Sequence, residues 1–494
     1  MTEPATEHVD VLIVGAGLSG IGAACHVTTE LPGTSYAVLE SRGTSGGTWD
    51  LFRYPGVRSD SDMFTLGYRF RPWTAAKAIA DGDDIREYVR DTAREYGVDR
   101  KIRYHQRVVG ASWSSADARW TVEVRRTGEG EDVPGPDAET FHLTCSFLWI
   151  CAGYYRYDSG YTPELPGIGD FAGRVVHPQH WPGDLDYEGK RVIVVGSGAT
   201  AVTLVPAMAE KAAHVTMLQR SPSYILSLPA VDPLGALIRR RLSAERAFPI
   251  VRWKNVLLSG FLYRLSRRRP ALVRSMLRRG ALKQLPEGYD VDTHFSPSYD
   301  PWDQRLCLVP DGDLFRAVRR GHASIVTDTI DTFTEKGIRL ASGEELEADV
   351  IVTATGLNLL PVGGLSLTVD GEPAELPGRL TYKGMMLSGI PNFAFVVGYT
   401  NASWTLKADL VSGFVCRLLK HMADQGYRKA VPVAPDSMAT LPLIDLQSGY
   451  VMRSLDQMPS QGAEAPWRLY QNYPKDLRTL RRGAIEDGAM RLSR

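Results

Sequence analysis

The chain has 494 residues, with 57 Lys plus Arg against 57 Asp plus Glu, and 44% of its residues are hydrophobic. This balance is typical of a multidomain globular enzyme and excludes a disordered or fibrous chain. A net charge of zero argues against a general nucleic-acid-binding protein, which would carry an excess of basic residues.

The first predicted element is a buried parallel strand that runs into a glycine-rich turn. Residues 9–17 read VDVLIVGAG, and a helical stretch and a second apolar strand at residues 35–39 follow them. Together they predict a strand–helix–strand unit with Gly15, Gly17 and Gly20 in its turn. Such a turn binds a pyrophosphate at the helix N-terminus, where unpaired N–H groups favour anions.

The end of the second strand indicates which nucleotide this unit binds. Glu40 follows the strand, 20 residues after Gly20. A carboxylate at this position accepts hydrogen bonds from a ribose diol and repels a 2′-phosphate. The first unit therefore predicts a plain adenosine diphosphate group, such as that of FAD.

A second unit of the same kind begins about 180 residues later. Residues 191–195 form its predicted strand, and Gly196, Gly198 and Ala201 form its turn. Its second strand ends at Arg220, whose guanidinium can bind a 2′-phosphate. This unit predicts an NADPH site.

The segments outside the two units complete the predicted architecture. Alternating residues from Ala118 to Arg126 predict antiparallel strands, residues 231–286 predict helices, and residues 350–355 and 393–398 predict buried strands. A helix is expected from Ala408 onward. The predicted fold class is α/β, with two Rossmann-like dinucleotide-binding domains and a helical insert.

Cysteine usage and the N-terminus bear on location and metal content. The five cysteines are widely spaced, and no C-x-x-C pair occurs, so neither a zinc ribbon nor a redox disulfide motif is predicted. Residues 1–10 are polar and do not resemble a signal peptide, and no run of 18 apolar residues occurs. We expect reduced thiols, no metal and a cytoplasmic protein.

A motif between the two units has a specific spacing. Phe171, Gly173, His177 and Trp181 form the pattern F-x-G-x3-H-x3-W. This pattern resembles the fingerprint of the Baeyer–Villiger monooxygenases, a family of class B flavoprotein monooxygenases. The stretches GGTW, RYPGVRSD, DVIVTATG and NASW fit the same family, so the resemblance covers nearly the whole chain.

The resemblance implies an activity and a domain division. It implies NADPH- and O2-dependent oxidation of ketones to esters or lactones through a C4a-peroxyflavin, with S-oxidation of sulfides or thioamides. It also implies a discontinuous FAD-binding domain, an NADP-binding domain and an insert that lines the active-site cleft. Their residues are 1–152 and 362–494 for FAD, 153–224 and 305–361 for NADP, and 225–304 for the insert.

Site residues carry over from the family position by position. For FAD they are Gly15, Gly17, Ser19, Gly20, Glu40, Gly47, Thr48, Trp49, Asp50, Asp60 and Val108. For NADPH they are Gly196, Ser197, Gly198, Ala199, Thr200, Ala201, Val202, Arg220 and Ser221, with Arg58, Ser59 and Asp60 near the nicotinamide. Arg305 matches the catalytic arginine, which stabilises anionic oxygen, and Asp60 is its orienting partner. His177 is expected to have a structural or conformational role.

Two departures from the family pattern leave alternatives open. Gln304 stands where many members have a lysine that binds the 2′-phosphate, so NADPH selectivity depends on Arg220 and Ser221. Asp50 stands where many members have an aromatic residue.

Three alternatives to the implied activity stay open. They are a monooxygenase that acts on soft N or S atoms, an uncoupled NADPH oxidase, and a membrane-tethered flavoprotein without enzymatic activity.

The zero net charge conceals one strongly basic segment. Residues 236–283 contain fourteen Lys or Arg and one acidic residue, Glu245, with apolar residues interleaved at helical spacing. Val256, Leu257, Phe261 and Leu265 illustrate that spacing. Two interpretations remain open: a helical insert packed on the NADP-binding domain with solvated charges, and peripheral contact with an anionic membrane surface.

Overall fold

The computed structural model describes residues 6–130 and 133–494. Residues 1–5, part of the stretch that does not resemble a signal peptide, lie outside the described residues. The helices are α1 (Leu18–Glu30), α2 (Thr48–Leu51), α3 (Met63–Leu66), α4 (Gly82–Glu95), α5 (Ala199–Met208), α6 (Pro233–Arg241), α7 (Ala244–Arg268), α8 (Pro270–Leu282), α9 (Val291–Phe295), α10 (Asp313–Arg319), α11 (Trp404–Gln425), α12 (Gly449–Met452) and α13 (Tyr473–Arg482).

The strands are β1 (His8–Val14), β2 (Tyr36–Leu39), β3 (Ile102–Arg103), β4 (Gln106–Ser114), β5 (Arg119–Arg126), β6 (Thr140–Ile150), β7 (Arg174–Val176), β8 (Arg191–Val195), β9 (His214–Gln219), β10 (Ile225–Leu228), β11 (Cys307–Pro310), β12 (Ala323–Thr327), β13 (Ile330–Thr334), β14 (Gly337–Leu340), β15 (Glu345–Glu347), β16 (Val350–Thr353), β17 (Ser366–Val369), β18 (Glu372–Pro373), β19 (Thr381–Tyr382), β20 (Met386–Leu387), β21 (Phe393–Phe395), β22 (Lys429–Pro432), β23 (Thr440–Pro442), β24 (Ser460–Gly462) and β25 (Met490–Ser493).

The largest sheet is built around the first nucleotide-type unit. Its strand order is β18-β17-β4-β5-β6-β1-β2-β3, and β21 pairs with β6 as well. Strands β3, β2, β1 and β6 are parallel, whereas β4, β5 and β6 form an antiparallel meander. Helix α1 buries ten of its residues because it lies between this sheet and α11, which explains its lack of a polar face.

A second, all-parallel sheet surrounds the second unit. Its order is β12-β9-β8-β16-β7, and the carboxyl ends of β8 and β16 lie side by side. Strands β8 and β16 are almost fully buried because both faces of this sheet are covered. Helices α5 and α10 pack on one face, and the three-stranded sheet β13-β14-β15 packs in the apolar cluster on the other face. Together the two sheets confirm the predicted α/β class.

The helical segment leaves and re-enters the fold at one place. Strand β10, just before it, pairs in parallel with β11, just after it. Helices α6, α7, α8 and α9 lie between these strands in the chain, so an insert of about 80 residues returns to the position from which it left. The predicted helical stretch at residues 231–286 matches α6 to α8.

The structure bears on two features predicted from the sequence, the membrane-spanning capacity of the helices and the state of the cysteines. Among the described residues, no helix is both long enough and apolar enough to cross a membrane. All five cysteines are buried free thiols. Burial raises the pKa of Cys307 to about 12, so this thiol stays protonated at neutral pH.

Candidate active site

The first glycine-rich turn forms a tight crossing between β1 and α1. Gly15 has a φ of +103°, and a Cβ there would lie 2.7 Å from the Cys151 carbonyl oxygen. A Cβ on Gly47 would lie 2.8 Å from the Gly17 Cα, so a second loop passes directly over the turn. Only glycine fits at these contacts, and the first turn of α1 is left facing a cavity.

Glu40 closes the other side of this turn. Its side chain is 6% exposed, and its Oε2 accepts a hydrogen bond of 2.8 Å from the Ala16 N–H. Its Oε1 accepts another, of 3.0 Å, from the Arg42 N–H. Burial raises the pKa of Glu40, and the two backbone donors oppose that effect. The carboxylate is thus fixed at the cavity wall, where the sequence predicts a ribose-binding acid.

The second glycine-rich turn repeats this geometry with a more open approach. Gly196 has a φ of +135°, and a Cβ there would lie 2.4 Å from the Ala354 carbonyl oxygen. A Cβ on Gly198, at the start of α5, would meet nothing within 4 Å. The Ser197 hydroxyl donates to the Ser221 carbonyl oxygen at 3.0 Å and ties the turn to the end of β9. The exposed Arg220 lies beside it at the cavity edge.

One cavity of about 920 Å³ is lined by both turns. This volume is near the upper end of the roughly 300–1,000 Å³ usual for ligand sites. The predicted site residues that line it are Gly15, Gly17, Ser19, Glu40, Gly47, Thr48, Trp49, Arg58, Ser59, Asp60, Val108, Gly196, Ser197, Gly198, Ala199, Thr200, Arg220, Ser221 and Arg305. Gln304, the departure from the family's lysine, lines it as well.

Four other predicted cofactor residues lie behind the wall of this cavity. Gly20, Ala201 and Val202 are buried inside the helices that follow the two turns. Asp50 is 1% exposed and forms ion pairs with Arg42, Arg53 and Arg90. These residues support the shape of the wall and do not face the cavity.

Arg305 and Asp60 form a two-point ion pair within the cavity. The Arg305 Nε lies 2.8 Å from Asp60 Oδ2, and Nη2 donates to Oδ1 at 3.0 Å. Both side chains are 31% exposed. The negative charge of Asp60 is the main reason that the pKa of Arg305 is raised further, so the guanidinium is always charged. A cation fixed in a cavity can stabilise a developing oxyanion.

Arg58 makes a second ion pair near the first. Its Nη1 lies 2.6 Å from Asp313 Oδ2, at the beginning of α10. The loop that carries both Arg58 and Asp60 is therefore joined to the second unit by two ion pairs of opposite polarity.

Sequence reasoning missed an aromatic cluster beside Arg305. Tyr154 and Tyr155 line the cavity with their hydroxyl oxygens 3.2 Å apart, and Tyr450 comes from the C-terminal part of the chain. The Tyr154 ring stacks on Trp404 with a centroid distance of 5.1 Å. Tyr154 and Tyr155 follow β6 at the carboxyl end of a parallel strand, which is where α/β folds place ligands, so that position was a usable signal.

The fingerprint residues lie away from the cavity. The Gln179 N–H donates to His177 Nδ1, and His177 Nε2 lies 3.2 Å from the Gly356 carbonyl oxygen, in the loop after β16 that lines the cavity. Burial lowers the pKa of His177, which favours the neutral ring. Phe171 and Trp181 pack in separate apolar clusters, and a Cβ on Gly173 would lie 2.5 Å from the Asp349 carbonyl oxygen. The structural or conformational role expected for His177 stays a prediction.

The described residues contain no set of side chains that could bind a metal ion. Across residues 6–130 and 133–494, no group of three or more His, Cys, Asp or Glu side chains is arranged to hold a metal ion.

Fold and cavity together define a protein in which two dinucleotide-type turns line one cavity that also holds the Arg305–Asp60 ion pair. Comparison with known proteins shows which family this class of protein corresponds to. Residues 13–77 match the model of an NAD(P)-binding Rossmann-like domain, and residues 78–246 match that of the flavin-binding monooxygenase-like family.

Curated relatives match over nearly the full length. The FAD-containing monooxygenase EthA of Mycobacterium tuberculosis is 56% identical over 491 residues, which is 99% of this chain and 98% of the relative. EthA of Mycolicibacterium smegmatis is 53% identical over the same shares. The chain therefore belongs to the family of FAD-containing monooxygenases. Residues 47–63 and 401–411 resemble a mycobacterial member of that family, in agreement with these matches.

Solved structures share the fold at lower identity. Steroid monooxygenase bound to NADP superposes with a TM-score of 0.76 at 22% identity, over 98% of this chain and 99% of that one. This likeness confirms the overall fold.

Proposed function

We propose that this protein is an NADPH- and O2-dependent FAD monooxygenase that converts ketones to esters or lactones and also oxidises sulfur in sulfides and thioamides. The observation that carries the proposal is the Arg305–Asp60 ion pair in a cavity that both glycine-rich turns line. Membership of the FAD-containing monooxygenase family supports it.

The first turn fits the adenosine diphosphate part of FAD. Its glycines bring the backbone to a distance that no Cβ would permit, and the N-terminus of α1 faces the cavity beside them. Glu40 offers a fixed carboxylate for the ribose hydroxyls. In this proposal residues 1–152 and 362–494 bind FAD.

The second turn fits NADPH. The backbone at Gly198 has open space in front of it, and Arg220 and Ser221 lie beside the turn with their side chains exposed. A guanidinium in this position can pair with a 2′-phosphate. Residues 153–224 and 305–361 bind NADPH in this proposal, and residues 225–304 complete the cleft.

The chemistry divides between cofactors and protein. When bound, FAD activates O2 and NADPH supplies two electrons, so that one oxygen atom enters the product and the other leaves as water. Arg305 stabilises negative charge on oxygen during attack on the carbonyl carbon, and its planar fork is held in one orientation by Asp60.

Ketone and sulfide oxidation make different demands on the same site. A carbonyl carbon accepts electrons from the incoming oxygen, whereas a sulfur atom donates electrons to it. The protonation state of that oxygen therefore separates the two reactions. The permanent charge of Arg305 favours the anionic state and hence the ketone reaction.

Turnover of paired substrates with isotope-labelled O2 tests the proposal. A cyclic ketone and a thioether of similar size are each supplied with NADPH, and the products are analysed by mass spectrometry. We expect one labelled oxygen in the lactone and in the sulfoxide. Labelled sulfoxide without lactone would indicate a soft-nucleophile monooxygenase. NADPH loss with release of hydrogen peroxide and no labelled product would indicate an uncoupled oxidase.

The partners in this proposal are a small-molecule ketone or sulfide and O2. We also propose peripheral contact of residues 236–283 with a membrane surface, which the oxidation chemistry itself does not require.

A further inference from the structure

Residues 236–283, here called the basic helical surface, expose an unusual amount of apolar side chain. They contain ten of the eighteen large apolar side chains that are exposed in the described part of the chain. Those ten are Leu237, Leu242, Ile250, Trp253, Leu257, Leu258, Phe261, Leu272, Met276 and Leu282. Contiguous exposed apolar surface on a globular protein marks an interaction site more often than scattered residues do.

Helix α7 has two apolar faces, and only one of them is packed. Phe248, Val251 and Val256 are buried against the first unit. Leu257 and Phe261, on the other side of the same helix, are each 55% exposed. A helix face with several large apolar side chains is normally covered by another element. The outer face of α7 therefore lacks a partner within the described residues.

Helix α8 exposes apolar side chains as well. It follows α7 after the single residue Arg269 and buries only Ala281. Leu272 and Met276, one helical turn apart, are 51% and 52% exposed. The two helices together thus expose Leu257, Leu258, Phe261, Leu272 and Met276.

The basic helical surface also carries many cations without a carboxylate partner. Of the fourteen Lys and Arg residues, four pair with carboxylates, and Arg239 and Arg252 donate to backbone carbonyl oxygens. The remaining eight are exposed and have no carboxylate partner in the described structure. They are Arg240, Arg241, Arg246, Arg264, Arg268, Arg269, Arg279 and Lys283.

We propose that the basic helical surface binds an anionic lipid bilayer, with α7 and α8 lying in the plane of the interface. Apolar side chains such as Leu257 and Phe261 enter the boundary of the acyl region, while the eight cations meet lipid phosphates. No described helix can cross a membrane, so the contact is peripheral. Charge complementarity favours this partner over a second copy of the chain, because two such surfaces would place unpaired cations face to face.

Vesicle sedimentation of the FAD-loaded full chain tests the proposal. No ketone, sulfide or NADPH is added, so the outcome is independent of the proposed oxidation. We expect the protein to pellet with vesicles of phosphatidylglycerol and phosphatidylcholine at low salt, and not with phosphatidylcholine alone. Raising the salt to about 1 M, where the Debye length is about 3 Å, should lower the pelleted fraction.

Two variants separate charge from apolar insertion. Arg264→Gln/Arg268→Gln/Arg279→Gln should lower the vesicle partition coefficient about tenfold or more. Its matched control is Lys211→Gln/Lys336→Gln/Lys420→Gln, which removes three exposed cations elsewhere and should leave binding within about twofold.

The apolar variant is Leu257→Ser/Leu258→Ser/Phe261→Ser, with Val433→Ser/Leu441→Ser/Met452→Ser as its control. Only the first should weaken binding, and it should do so at both salt concentrations. Because all six positions are exposed, unchanged thermal unfolding checks that folding is intact.

Three results would overturn the proposal. The first is an absence of pelleting with anionic vesicles, and the second is equal loss of binding in both members of either variant pair. The third is a concentration-dependent dimer, seen by sedimentation velocity, that forms in the wild type and is lost in the Leu257/Leu258/Phe261 variant. In that case the wild-type dimer would also fail to bind vesicles.

Discussion

Arg305 and Asp60, 245 positions apart in the chain, meet through two N–O contacts of 2.8 and 3.0 Å. Asp60 belongs to the loop that follows α2, and Arg305 precedes β11 at the end of the insert. The pair therefore depends on the assembly of distant parts of the chain, and its orientation is fixed only in the folded protein.

Replacing the guanidinium should abolish ketone oxidation without loss of FAD. In Arg305→Ala, ester formation is expected to fall about 100-fold or more, because one fixed donor to a developing oxyanion contributes that much in other enzymes. Flavin absorbance of the purified variant and chromatographic analysis of the ester provide the two readouts. Normal ester formation in a variant that retains FAD would refute the role of Arg305.

Asp60 should act through Arg305. Asp60→Asn keeps a hydrogen-bonding group but removes the charge, and ester formation should fall about tenfold. The same change made in Arg305→Ala should cause little further loss, because the oriented partner is already absent. Additive losses in the double variant would show that Asp60 has a separate function.

Glu40 should determine how firmly FAD is held. Glu40→Ala removes a carboxylate that two backbone N–H groups fix at the cavity wall. We expect the Kd for FAD to rise about tenfold or more, since a hydrogen bond to a charged group contributes roughly 1.5–3 kcal/mol. Equilibrium dialysis against free FAD measures the change. Asp10→Ala, an exposed acid at the opposite end of β1, is the control and should bind FAD normally.

The parts of the fold that sequence could predict are those specified locally. Strands β2 and β8 lie within one residue of their predicted bounds, and β1 begins one residue before the predicted run, because continuous apolar runs and adjacent glycines encode a buried strand and its turn. The Arg305–Asp60 pair came from family resemblance, since no periodicity connects residues 245 positions apart.

The features that sequence missed depend on distant partners. Asp50, which is predicted as a cofactor contact, also pairs with three arginines that the sequence pattern did not indicate, and one of them is Arg90, on α4. Helical spacing grouped Val256 with Leu257 and Phe261, whereas the structure buries the first and exposes the other two. Periodicity detects two apolar faces but cannot tell which of them another element covers.

Arg220 should set the preference for NADPH over NADH. Because Gln304 replaces the family's lysine, Arg220 is the cation at the cavity edge beside the second turn. In Arg220→Ala the KM for NADPH should rise about tenfold or more, from the loss of a charge-assisted contact, while the KM for NADH stays nearly constant. Steady-state kinetics with both cofactors measures this ratio. An equal rise of the KM values for NADPH and NADH would mean that Arg220 supports the fold of the site and does not bind the 2′-phosphate.

A buried histidine should make stability depend on pH in a defined window. His26, on α1, is 5% exposed; its Nε2 lies 2.9 Å from Asp409 on α11, and its Nδ1 lies 2.6 Å from Glu30. Arg69 also pairs with Asp409. Burial alone would lower the pKa of His26, but hydrogen bonds to the two carboxylates outweigh it and raise the pKa to about 9.

The sign of the effect follows from proton linkage. Between the unfolded value of about 6.5 and the folded value of about 9, the folded state binds more protons, so the free energy of unfolding should fall as pH rises. The stabilisation from His26 should be complete below about pH 6.5, amount to about 3 kcal/mol, and disappear above about pH 9. Urea unfolding of wild type and His26→Gln across this range measures it. The two curves should converge at high pH. A constant difference between wild type and His26→Gln from acid to alkaline pH would mean that the side chain contributes through packing and not through its charge.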